Sequence, residues 1–245
     1  MTLDFNSKNA LADRFVALID EAIDSAAKGE ARREYIGGSG IGEPCARRIQ
    51  YSYQNAPKDE GSDFPARPRR IFKRGHEGEE WLIEWMTAAG FVIRNKGKDG
   101  KQFGFSDCDD RFKGHFDGVI VSGPSGFKYP ALFEAKCLGE KGWKQVEKHG
   151  VEKAYPVYAA QIAIYQAYGQ LAENPAFFVA LNANDMSIHL ELVPFDAALA
   201  QENIDKAARI LAAVDHGETL PRASDDPDGF VCRFCAYKGV CWNAT

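Results

Sequence analysis

Two short segments carry the residues most able to do chemistry. The first is Gly114-His115-Phe116-Asp117-Gly118, and the second, after fifteen further residues, is Glu134-Ala135-Lys136. In an extended strand residues i and i+2 share a face, so Glu134 and Lys136 project together while Phe133, Ala135 and Cys137 point to the core. An acid and an amine side by side in an apolar strand cost free energy unless they have partners or work to do. The turn-forming run Ser122-Gly-Pro-Ser-Gly126 lies between the segments. If it closes a hairpin, Asp117 comes to the same end as Glu134, and two carboxylates converge with one ammonium. Hydrolysis of a phosphodiester needs such a set: a hard cation such as Mg²⁺ held by oxygen ligands, and a group beside it that handles water. Asp117 and Glu134, with the carbonyl of Ala135, are the candidate metal ligands. Lys136 is the candidate for orienting the attacking water and stabilising the transition state. His115, two residues before Asp117 and so on its face of the strand, reads as structural.

The elements that must position these groups follow from periodicity. Residues 10–28 form an amphipathic pattern with Leu11, Phe15, Leu18, Ile19 and Ile23 on one stripe. A glycine-rich stretch, residues 37–42, has no Gly-Lys-Ser/Thr after it and is no P-loop; it reads as a turn into a helix over 45–53, with Ser39 as cap. Residues 55–68 read as a polar loop and 72–89 as a helix stopped by Gly90. Strands are expected over 91–94, 112–121, 129–137, 177–181 and 187–193, and helices over 156–172 and 196–216. There are no internal repeats.

Six cysteines are present, and Cys232-x-x-Cys235-x₅-Cys241 crowds three of them into ten residues. That spacing points to metal or cluster ligation. A closed thiolate site takes four ligands, and Cys45 is the candidate fourth. Zinc and an iron–sulfur cluster both satisfy the spacing. Cys137 reads as a small core hydrophobe, and Cys108 sits in the acidic loop Asp107–Asp110, which has no functional assignment.

Composition limits the options. The hydrophobic fraction is 45% and net charge is -5, which excludes a passive basic coat for nucleic acid. It leaves room for local contacts, and Arg67-Pro-Arg69-Arg70-Ile-Phe-Lys73-Arg74 places five cations in eight positions, a patch able to follow a phosphate backbone. No apolar run is long enough to span a membrane, and the first fifteen residues lack a secretory pattern. The expected location is the cytoplasm.

With these residues in place, the chain resembles the PD-(D/E)XK nuclease superfamily, in particular its RecB-like branch and phage-type exonucleases. Three motifs carry the resemblance in order: Gly75-His-Glu-Gly-Glu79, then GHFDG…LFEAK, then Gln161-x-x-x-Tyr165. The resemblance implies an α/β, restriction-endonuclease-like core, a mixed central sheet flanked by helices, within one nuclease domain over residues 1–245 whose catalytic core is about 69–195. It adds Glu79 as a metal ligand, with His76 or Glu77 as replacements on the same turn. It also places Gln161 and Tyr165, one helical turn apart, near the DNA and the lysine. One N-terminal cysteine plus a C-x₂-C-x₅-C triplet resembles the iron–sulfur nuclease domains of AddB-type subunits and CRISPR-associated exonucleases. There Cys45, Cys232, Cys235 and Cys241 would hold a [4Fe–4S] cluster, or Zn²⁺, joining segments of about 36–54 and 228–245. The implied activity is an Mg²⁺- or Mn²⁺-dependent exonuclease on DNA ends, in recombination, repair or phage and CRISPR DNA processing. A recombination or CRISPR-adaptation protein is the implied partner class, and a homo-oligomer is compatible. An endonuclease on the same core and a non-catalytic DNA-binding subunit are the alternatives.

Overall fold

The computed structural model describes residues 10–27, 33–62 and 66–243. The N-terminal residues 1–9, the helix end at 28, residues 63–65 of the expected loop and residues 244–245 of the C-terminal segment lie outside it. In chain order the elements are α1 (Ala10–Ala27), β1 (Ile36–Gly37), α2 (Ala46–Tyr53), α3 (Ala66–Ala88), β2 (Val92–Arg94), β3 (Gly104–Asp107), β4 (Phe112–His115), β5 (Gly118–Ser122) and β6 (Ala131–Leu138). They continue with α4 (Glu140–Ala154), α5 (Pro156–Tyr168), β7 (Ala176–Asn182), β8 (Ile188–Val193), α6 (Ala197–Asp215) and α7 (Lys238–Asn243). The fold is mixed α/β with two sheets, one of three strands (β1-β4-β3) and one of five (β2-β5-β6-β7-β8).

The five-stranded sheet is the platform. β5 and β6 are antiparallel, with Gly118 opposite Phe133, and β6 runs parallel to β7. The two faces of β6 bury different side chains. Ala131, Phe133 and Ala135 pack with Leu82 and Met86 of α3. Leu132 and Leu138 join the larger core with Ile162, Ile164 and Tyr165 of α5 and Ile210 and Leu211 of α6. The face bearing Glu134 and Lys136 is therefore interior, not half-solvated. A parallel β6–β7 pair needs a crossover, and such strands are covered on both sides.

Several expectations need correction. Residues 112–121 are not one strand: β4 belongs to the small sheet and β5 to the large one, with Phe116 and Asp117 at the break. The alternation argument linking His115 to Asp117 fails there. His115 is exposed, opposite Gly104 in the small sheet. Ser39 caps no helix; it lies in a 3-10 turn, and α2 is preceded by Cys45, whose side chain makes no capping bond. α3 starts at Ala66, so Arg67–Arg70 are helical rather than loop, and Arg69 and Arg70 pair with Asp24 and Asp20 of α1. Two of the five cations expected to face phosphate are thus engaged within the chain. The apolar stripe of α1 is not core: Leu11, Phe15, Leu18 and Ile19 are all more than half exposed.

α4 was not legible. Its sequence carries two glycines among charged residues, and its helix is broken at Gly150, where φ is 76°. The break frees the Val151 N–H, which donates to Glu191 at 2.8 Å. Tertiary contacts hold the element: the Trp143 indole N–H donates to the carbonyl of Ala180 at 2.9 Å, and Trp143, Val146 and Val151 are buried.

α2 and the loop after it are stapled to the segment after α6 by side chains. Gln50, fully buried, donates to the Glu218 carbonyl at 2.6 Å and accepts from the Leu220 N–H at 2.9 Å. Asp59 accepts from the Gly239 N–H at 2.9 and 3.0 Å. No helix among the described residues is long and apolar enough to cross a membrane.

Candidate active site

Asp117, Glu134 and Lys136 do converge. Because Gly118 pairs with Phe133, Asp117 sits at the mouth of the β5–β6 pair, and its Oδ2 accepts the Ala135 N–H at 2.9 Å. Lys136 Nζ donates to Glu134 Oε1 and, at 3.0 Å, to the carbonyl of Ala135; it stands 3.9 Å from Asp117 Oδ2. The ammonium thus occupies the space among the three oxygen groups named as ligands.

α5 supplies the next contacts. The Gln161 amide donates to Glu134 Oε1 at 2.6 Å, and the Tyr165 hydroxyl shares a hydrogen bond with Gln161. Tyr165 is buried between Phe105 and Phe116. Its ring explains two glycines. A Cβ on Gly38 would lie 2.8 Å from Tyr165 Cε1, and one on Gly114 would lie 2.6 Å from it. The glycine before Asp117 and the glycine-rich turn are where the backbone must approach this ring. Tyr158, not singled out from the sequence, places its ring centroid 5.3 Å from Lys136 Nζ. The signal was available: Tyr158, Gln161 and Tyr165 fall at i, i+3 and i+7, one stripe of a helix.

Glu79 on α3 is the member of its turn that senses the site. Burial raises its pKa, the charge of Asp117 adds to the rise, and Lys136 opposes it. His76 and Glu77 are exposed, and His76 reaches Glu79 at 3.5 Å.

The electrostatics are unbalanced. Three carboxylates, Asp117, Glu134 and Glu79, surround one ammonium. Burial pushes the Glu134 carboxyl up to about 8, reinforced by Asp117 and offset in part by Lys136. Burial alone would lower the Lys136 pKa, but the charges of Glu134, Asp117 and Glu79 outweigh it, and the ammonium stays protonated. Glu134 Oε2 is buried without any hydrogen-bond partner. A buried carboxylate oxygen left unpaired is costly unless it takes a proton or a cation. Among the described residues no three Cys, His, Asp or Glu side chains already stand as a metal ligand set. The excess negative charge, the orphaned oxygen and the all-oxygen donors nevertheless suit a hard divalent cation.

A pH effect follows. Glu134 binds its proton more tightly in the folded chain than in the unfolded one, where 4.5 is the ordinary value. Its contribution to stability is fully present below about 4.5 and is lost as pH rises through about 8. In EDTA, the urea midpoint of wild type relative to Glu134→Gln should therefore fall across that window. A difference that stays constant with pH would contradict the raised value.

The cysteines form a second constellation. Cys45, Cys232, Cys235 and Cys241 all line one cavity of about 20 Å³. Arg47 Nη1 lies 3.5 Å from Cys241 Sγ. Burial raises the Cys235 thiol, Arg48 opposes this, and Cys45 and Cys241 add to it, so the charges of these thiols reach one another. The expected fourth ligand, more than 180 residues distant in sequence, has come to the triplet. Cys137 is half-buried against the α3 face of the sheet, as expected of a small hydrophobe, and Cys108 packs at the edge of the larger core.

No family model and no curated protein matches the chain. Among solved structures, LHK-Exo, an alkaline exonuclease from Laribacter hongkongensis, is similar at 15% identity over 76% of this chain and 90% of that one, with a TM-score of 0.49. LHK-Exo in complex with dAMP gives 19% identity, the same coverage and 0.48. SSO0001 gives 13% identity over 94% of this chain and 97% of that one, with 0.47. At these scores the likeness carries no functional conclusion, and function is read from the site.

Proposed function

We propose that the chain is a metal-dependent deoxyribonuclease acting at DNA ends, built on a restriction-endonuclease-like core of the RecB-like type. The observation that carries this is the convergence of Asp117, Lys136 and the fully buried Glu134, with its excess of carboxylates and the unpartnered Glu134 Oε2. In this reading Asp117, Glu134 and Glu79, with the carbonyl of Ala135, hold Mg²⁺ or Mn²⁺. The ion, when bound, neutralises charge on the phosphate and lowers the pKa of water. The chain's own residues do the rest. Lys136, released from the Ala135 carbonyl, orients a water towards phosphorus and donates to a non-bridging oxygen. Water oxygen forms the new P–O bond and gives up a proton to solvent, the P–O bond to the leaving sugar breaks, and that sugar oxygen takes up a proton from solvent. Gln161 holds Glu134 in place, and Tyr165 holds Gln161. Donors fixed in advance towards developing charge are the strongest catalytic resource of such a site.

The four cysteines are assigned a closed structural site, a [4Fe–4S] cluster in the leading version and Zn²⁺ in the other. Arg47 lies 3.5 Å from Cys241 Sγ, and the position between α2 and the C-terminal segment suits a clamp.

The test is degradation of labelled DNA with Mg²⁺ or Mn²⁺. Linear duplex or single-stranded DNA should be shortened from its ends, and covalently closed circles should resist. Equal rates on circles would replace the end-acting reading with an endonuclease. No cleavage of any DNA with either metal would leave a binding subunit.

A further inference from the structure

A large cavity lies away from the carboxylate trio. It measures about 520 Å³ and opens between the glycine-rich turn, α2, the loop before α3 and the C-terminal cysteine segment. Arg33, Arg48 and Lys58 line it against one acid, Glu43, which pairs with Arg48 at 3.0 Å. This is a cationic cleft on an acidic protein. Its aromatic content is unusual. Phe234 lines the cleft and is 78% exposed, and Phe230 nearby in sequence is 83% exposed, the two most exposed large apolar side chains described. Arg233 places its guanidinium over both rings, 4.7 Å from Phe234 and 5.8 Å from Phe230. On the opposite wall Arg33 lies 5.2 Å over the ring of Tyr35.

Exposed rings with interleaved guanidinium groups have no reason to face water on behalf of the fold. They match what a single nucleic-acid strand needs: cations that follow the backbone and flat apolar faces on which bases stack. A duplex cannot use them, because its bases are already stacked on each other. The turn at residues 37–40, which lines the cleft, packs on Tyr165 of α5 at Gly38, and α5 also carries Gln161, which contacts Glu134.

We propose that this cleft, continued past Phe234 by the contact of Arg233 with Phe230, is a single-strand DNA site, in which Phe234 and Phe230 stack bases while Arg33 and Arg233 meet phosphates. The choice of DNA rests on the nuclease reading; the choice of a single strand rests on the exposed rings. The site would hold one unpaired strand beside the reacting end.

Binding tests it apart from cleavage. Fluorescence anisotropy in EDTA, with Lys136→Ala protein, would compare a labelled oligothymidylate, the same length of abasic backbone and a duplex. The single strand should bind more tightly than either. Phe230→Ala/Phe234→Ala should weaken it by about ten-fold or more without changing the abasic control. Arg33→Ala should lower the slope of log affinity against log salt by about 0.7. Both phenylalanines are exposed, so the double variant keeps its core, and an unchanged melting temperature verifies this. Single-strand affinity unaffected by the double variant, or equal to duplex affinity, overturns the proposal. Wild-type cleavage with unaffected binding would overturn the cleft alone. Cleft-dependent binding without cleavage by wild type would overturn the nuclease reading alone.

Discussion

Lys136→Ala should abolish DNA hydrolysis, by at least about a thousandfold, while leaving the fold in place. The lysine is the sole cation within reach of Glu134 and Asp117 among the contacts described, and it is aimed by two hydrogen bonds. Removing it deletes the group placed to steer water and to meet negative charge on the phosphate. The structural cost is contained, because Glu134 already favours the protonated form at neutral pH and can discharge by taking a proton. Divalent cation should still bind, since three carboxylates remain and their one competitor is gone. The pair of measurements is decisive: nuclease assay on labelled linear DNA, and Mn²⁺ titration by calorimetry on the same sample. Unchanged hydrolysis would remove Lys136 from the mechanism. Lost metal binding together with lost activity would make it a structural residue instead.

If the four cysteines hold a metal as proposed, Cys45→Ala should release it and lower the melting temperature by about 10 °C or more. A thiolate site gains its strength from a complete ligand set, and its binding energy is folding energy. Cys45 also precedes the first turn of α2, so the loss loosens that helix from the C-terminal segment. The staples at Gln50 and Asp59 do not depend on metal, and they limit the damage to this end of the molecule. Wild type prepared without oxygen should be brown, absorbing broadly near about 400 nm, if the site holds iron and sulfide. A colourless sample with one zinc per chain would select the other metal. Cys108→Ala is the control, because that residue is outside the cavity lined by the four cysteines. A variant at Cys45 that melts like wild type and keeps its metal would end the four-ligand assignment.

Much of the site was legible because it depends on short-range geometry. Glu134 and Lys136 share a face by strand alternation, and the turn at 122–126 was enough to bring Asp117 to them. Gln161 and Tyr165 came from the resemblance, and helical spacing put them on one face. The hairpin reasoning failed one step earlier, at His115, because a change of sheet interrupts the alternation and nothing local in Phe116–Asp117 announces it. α4 was missed for a related reason: its glycines and charges argue against a helix, and its stability comes from Trp143 and Glu191 contacts that exist only once β7 and β8 are beside it.

The sequence by itself determined which residues could do chemistry: the aspartate between glycines, the E-x-K strand and the cysteine triplet, each defined by residue type and spacing within a few positions. Tertiary structure alone decided their state. Covering the Glu134 face with α5 made it interior, and burial, acting through the loss of water, raised the carboxyl and left Oε2 without a partner. Folding also brought Cys45 to the cavity that the triplet lines and set the exposed Phe234 at a cationic cleft. These are facts about solvent and distance between remote segments, which no local pattern in a chain encodes.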